Sequence, residues 1–86
     1  MDVKKITEQD NLVRLSDLEK GAVAIIDAFD EKSSDFVRLR DMGLHIGTDF
    51  RVIKFAPGGD PIEIKARGYY MSLRKSAAQH IIVKRK

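Results

Sequence analysis

Two histidines, a run of carboxylates and a basic stretch holding two tyrosines carry most of the side chains here that could do chemistry. His45 and His80 lie far apart in sequence, and neither belongs to a paired motif. A metal site draws several ligands at fixed local spacing. Each histidine is therefore read as a surface or half-buried residue, and no metal ligand is assigned. Asp27, Asp30, Glu31 and Asp35 form an acidic cluster, and paired carboxylates can share acid–base work. No histidine, nucleophile or oxyanion donor accompanies them at readable spacing. Ser16, Ser33, Ser34, Ser72 and Ser76 lack the strand-turn-helix context that activates a serine. Gly58-Gly59-Asp60-Pro61 is glycine-rich, but a phosphate loop ends in Gly-Lys-Ser/Thr, and here an acid and a proline follow. It is read as a turn that binds no nucleotide. No catalytic residue and no cofactor are expected, and the chain is not expected to be an enzyme.

The basic stretch gives a rival reading. Small barrels can bind nucleic acid through outward aromatics set among cations. Lys65, Arg67, Tyr70, Arg74 and Lys75 would be such a set. The alternative is one amphipathic tyrosine among ordinary surface cations, and base stacking normally wants more than one exposed aromatic. Proline-rich peptide recognition uses grooves lined by several aromatics. This chain has no Trp, and Phe36, Phe50 and Phe55 are expected in the core.

With 86 residues the chain is long enough for one domain. It has no cysteine, which excludes disulfides and thiolate chemistry and fits a reducing cytosol. No apolar run follows Met1-Asp2-Val3-Lys4-Lys5, and none is long enough to span a bilayer. A cytoplasmic protein is expected, reaching a membrane by recruitment. Charge is unevenly placed: residues 1–50 carry a net of −4 and residues 51–86 a net of +7. Such asymmetry permits steering toward an acidic partner, a phosphate backbone or an anionic surface; the competing reading is a solvated barrel face whose sign is incidental. Lys84-Arg85-Lys86 reads as a solvated tail able to favour an anionic bilayer.

The elements that would position these residues read as mainly β. Residues 1–14 show no period and are expected to be a weakly structured or short helical segment, with the domain proper at 15–86. Leu15 to Gly21 reads as a short turn. Ala22 to Phe29 is an apolar run broken by Asp27, suited to a strand buried on both faces. Ser33 or Ser34 can cap a helix, with Asp35 near its positive end. Phe36, Leu39 and Met42 recur at helical spacing, and Gly43 is placed to end that helix. In Phe50 to Phe55 the alternation slips between Val52 and Ile53, which a bulge or a strongly coiled strand would explain. Ile62 to Arg67 alternates cleanly, Gly68 marks a hairpin, and Tyr69, Met71 and Leu73 continue the inward face. One helical turn spans Arg74 to Gln79, and Ile81 to Val83 closes the sequence of strands. The sum is a closed barrel of about five strands with one inserted helix.

Four pieces of spacing then carry a resemblance. They are Leu15-x-x-Leu18-x-x-Gly21, Leu39-x-x-Met42-Gly43-Leu44-x-x-Gly47, Ala56-Pro57-x-Gly59-Asp60-Pro61-Ile62 and Gly68-x-x-Met71-x-Leu73-Arg74. In this order they resemble the ferrous iron transport protein A (FeoA) family over about residues 15–84. His45-Ile46 stands where members often have a residue and a proline. The resemblance implies an SH3-like barrel in the cytosol, supporting iron uptake by contact with the FeoB-type membrane transporter and its GTP-binding domain. The same domain type occurs at the C-terminus of iron- and manganese-dependent repressors, which leaves a regulator-like role as the alternative. The helix end and the nearby cation, namely Leu39, Met42, Leu44 and Arg74, are the expected partner contacts. The competing assignment for Leu39 and Met42 is core packing.

Overall fold

The computed structural model describes residues 12–30 and 36–86. Six strands form one antiparallel sheet: β1 (Leu12–Arg14), β2 (Val23–Phe29), β3 (Asp49–Phe55), β4 (Ile62–Ala66), β5 (Tyr69–Leu73) and β6 (Ile81–Arg85). Helix α1 (Phe36–Asp41) joins β2 to β3, and α2 (Lys75–Ala78) joins β5 to β6. Short 3-10 turns span Leu15–Asp17 and Pro57–Gly59. This is a small SH3-like β domain.

The alternating strands bury one row of side chains each. Ala24 and Ile26 of β2, Phe50 and Val52 of β3, Ile62 and Ile64 of β4, and Ile81 and Val83 of β6 meet in one core. The bulge expected in β3 is present: the register with β4 shifts between Val52 and Lys54, so Ile53 has no partner. A second shift in β2 falls between Ile26 and Ala28, where the exposed Asp27 is the extra residue. The expectation of a strand buried on both faces is corrected here. Val23 and Ile25 are only half-buried, because one face of β2 lies over the core and the other is open.

Two further corrections concern the sheet. Among the described residues there are six strands, since Leu12–Arg14 pairs with Ile82–Lys84 of β6; the rest of the expected N-terminal segment lies outside the described residues. The sheet order is β1-β6-β2-β3-β4-β5, with β1 and β5 at its edges, so hydrogen bonding does not close a barrel. Among the described residues, β1 runs from Leu12 to Arg14 and straight into the Leu15 turn, without pairing to β5. Instead the Leu15 turn packs against α2, burying Leu15, Ala77 and Ala78. Arg14 Nη1 donates to the Gln79 carbonyl at 2.7 Å and ties β1 to the end of α2.

Candidate functional site

Helix α1 ends at Asp41 because Gly43 takes a left-handed backbone, φ +99°. The Gly43 N–H donates to the Arg40 carbonyl at 3.0 Å, and the Leu44 N–H donates to the Leu39 carbonyl at 3.1 Å. This is the helix stop in which glycine accepts the conformation and the residues flanking the stop bring their side chains together. Those two side chains are Leu39 and Leu44, and they are 3% and 0% exposed. Both belong to the core, so they shape the surface from beneath it. Met42 is half-buried against the same core, and Arg74 is exposed at the start of α2.

Leu39, Met42 and Arg74 do come together. With Arg38, Leu73 and Ala77 they line a cavity of about 20 Å³, enough for roughly one water. An extended apolar side chain has no room there. A wider recess adjoins it, lined by Arg38, Asp60, Pro61, Ser72 and Arg74. Asp60 Oδ1 accepts the Lys75 N–H at 2.9 Å and holds this loop against α2. Two guanidinium groups thus border the recess, a chemistry suited to carboxylates. Arg38 was not among the expected contacts. Its position beside Leu39 on the helix was the signal that could have included it.

The recess continues into the β4–β5 hairpin. Arg67 and Gly68 form its two-residue turn with φ of +53° and +84°, the pairing of signs that suits the strand twist. Tyr70 pairs with Lys65 across the strands, and the Lys65 ammonium lies 5.2 Å from its ring centroid. Tyr69 is 70% exposed and Tyr70 61%. The expectation that Tyr69 points inward is therefore corrected. Its face is the core face, but it sits at the turn end of β5, beyond the side chains that would cover it. The two rings also leave adjacent strand positions toward opposite faces, and Lys65 already occupies Tyr70. They do not form the single-sided stacking row that single-stranded nucleic acid uses.

Elsewhere the titratable residues serve the fold. His80 Nδ1 lies 3.1 Å from Asp30 Oδ2, and the Asp30 N–H donates to the His80 carbonyl at 2.7 Å. His45 is exposed; its N–H donates to Thr48 Oγ1 at 3.2 Å, closing the His45–Thr48 turn. Among the described residues, no three of His, Cys, Asp and Glu gather as metal ligands. Glu31, Asp35, the two candidate capping serines and the Phe36 side chain lie outside the described residues. The C-terminal cations do not trail into solvent as expected. β6 runs to Arg85, which donates to both Glu19 carboxylate oxygens at 2.9 and 3.0 Å, and Lys86 pairs with Asp49 at 3.0 Å. The hydrogen bond from Arg85 holds the Glu19 carboxyl below its usual range, and the same bond raises Arg85.

No helix among the described residues is long and apolar enough to cross a membrane. No curated protein matches the chain in sequence. A model of the FeoA domain matches residues 13–85. The solution structure of the FeoA protein from Chlorobium tepidum is 34% identical, covering 85% of this chain and 70% of its own, with a TM-score of 0.78. The FeoA-like protein from Clostridium acetobutylicum is 33% identical over 87% of each chain, with a TM-score of 0.81. The likeness to T. acidophilum IdeR, 21% identical over 87% of this chain and 34% of that one, with a TM-score of 0.77, is one of fold. A match from residue 13 to residue 85, on a fold shared with structures a third identical in sequence, shows that this chain belongs to the FeoA family.

Proposed function

We propose that this chain is a cytoplasmic accessory protein of ferrous iron uptake, which binds an FeoB-type transporter and modulates it by contact. The observation that carries this reading is the family match over residues 13–85. A relative 32% identical, from Clostridium thermocellum, is named iron(II) transport protein A, and this chain spans 45% of it. The surface chemistry agrees with a contact role. The recess beside Met42 offers Arg38 and Arg74 to a partner's carboxylates, and the buried Leu39 anchors the helix that carries Arg38 and Met42 in the core.

The test uses the purified transporter in detergent and this chain as an immobilised, tagged protein. The wild type retains the transporter. The double variant Arg38→Glu/Arg74→Glu loses about tenfold or more in affinity, on the scale of truncated interface charge pairs, with an unchanged thermal melt. Equal retention by the variant would move the contact away from the recess. No retention by the wild type would reject the adaptor reading itself.

A further inference from the structure

Among the described residues, the outer side of β5 has a free hydrogen-bonding edge, and the hydrogen bonds of the neighbouring strands fix which groups face outward. On β3 the Val52 N–H donates to the Ala22 carbonyl at 2.9 Å, and the Val52 carbonyl accepts from Gly21 at 2.8 Å. Val52 therefore bonds on the β2 side, and its neighbour Arg51 bonds on the β4 side, since successive residues alternate. Arg51 pairs with Lys65, so Lys65 bonds toward β3, and Ile64 and Ala66 bond toward β5. Their partners Met71 and Tyr69 are then turned inward. That leaves the N–H and C=O groups of Tyr70 and Ser72 directed away from the sheet. Among the described residues, neither has a backbone partner on that side.

The two edges of the sheet are not treated alike. Among the described residues, β1 has three residues and ends on the cation Arg14. β5 is five residues, Tyr-Tyr-Met-Ser-Leu, with no charge, no proline and a regular register. Natural sheets usually guard an edge with one of those devices. Cations flank this one instead: Lys65 and Arg67 at the turn end, and Arg38, Arg74 and Lys75 at the other. Asp60 and Glu63 are the acids nearby, and Asp60 is already bonded to the Lys75 amide.

We propose that β5 accepts an extended, acidic peptide segment of a partner protein as a further strand, hydrogen-bonded to Tyr70 and Ser72, with carboxylates reaching Lys65 and Arg67 at one end and the Arg38–Arg74 recess at the other. Ser72 lines that recess, so the edge and the recess form one continuous surface. Strand addition draws affinity from main-chain hydrogen bonds and specificity from the flanking side chains. A second copy of this chain is disfavoured, because an isologous β5–β5 pairing would bring two sets of these cations together. The natural identity of the segment rests on the adaptor reading; the binding mode does not.

The probe is a seven-residue acetylated peptide of alternating Glu and Thr, titrated into the full-length labelled protein without any transporter. Saturating amide shifts at Tyr69–Leu73 are expected, with hydrogen exchange at Tyr70 and Ser72 slowed by about tenfold or more in the saturated complex. A Lys/Thr peptide of the same length binds at least about tenfold more weakly, as like charges demand. Ser72→Pro removes an outward N–H and spares the β4 ladder, a place where an edge strand tolerates proline; it abolishes binding while its melt is retained. Should that variant unfold, a probe peptide N-methylated at alternate residues must lose binding to the wild type. Equal binding of the lysine peptide, or undiminished binding of the N-methylated one, would overturn the proposal. So would protection of the edge that rises with protein concentration alone, or an oligonucleotide that shifts these amides when the peptide does not.

Discussion

The corner at the end of α1 and the β4–β5 hairpin meet at one recess, yet they are built in opposite ways. At the corner, Leu39 and Leu44 are buried in the core on either side of a glycine stop, and Leu39 and Met42 line a cavity of about 20 Å³. At the hairpin, large side chains and backbone groups face out: both tyrosines are exposed and, among the described residues, no strand pairs with the outer side of β5. In the contact role proposed above, the corner is the rigid part and the hairpin is the part open to a partner. A small domain can do both because a recess needs a floor as well as a rim.

The largest effect separating the two regions comes from Leu44→Ala. Loss of a fully buried leucine costs about 2–5 kcal/mol, read as a lower midpoint in denaturant melts. A loss under about 1 kcal/mol would mean the corner relaxes freely and is no rigid floor. Gly43→Ala comes next. A Cβ there meets no atom within 4 Å, so the cost is backbone strain alone, about 1–2 kcal/mol. At the hairpin, Arg67→Asn should stabilise by about half a kcal/mol, since asparagine tolerates the positive φ that arginine adopts at a strain. A neutral result would show that the turn is already relaxed.

The smallest effect lies away from both regions, at Glu19. Its carboxyl sits below its ordinary value because Arg85 hydrogen-bonds the charged form. The pair therefore adds stability above the unfolded-state value, near pH 4, and that stability is lost as pH falls through the lowered folded value. Glu19→Gln should be slightly less stable than wild type at pH 7, with the gap closing at acid pH and in high salt. A gap that widens on acidification would contradict this.

Much of the frame could be read from local pattern. The slip between Val52 and Ile53 marked the β3 bulge, and Gly43 marked the helix stop, because both signals sit in adjacent residues. Tyr69 was misread because period-two alternation assigns a face but not whether the core extends that far along it. β1 was missed because three residues carry no period, and its pairing with β6 spans nearly the whole chain. The site divided along the same line. Helical spacing marked Leu39 and Met42 as a pair, and the family pattern pointed to Arg74. That β5 ends the sheet is a property of strand order, which no local segment of sequence contains.

The most direct test of the account is an amide shift titration of the full-length labelled protein with the soluble GTP-binding domain of an FeoB-type transporter. Saturating shifts are predicted at Arg38, Met42 and Arg74 and along Tyr70–Ser72, with Glu19 and Arg85 unmoved. Shifts gathered instead around Glu19 and Arg85, or no shifts at all, would contradict the claim that this recess and its adjoining edge are the working surface.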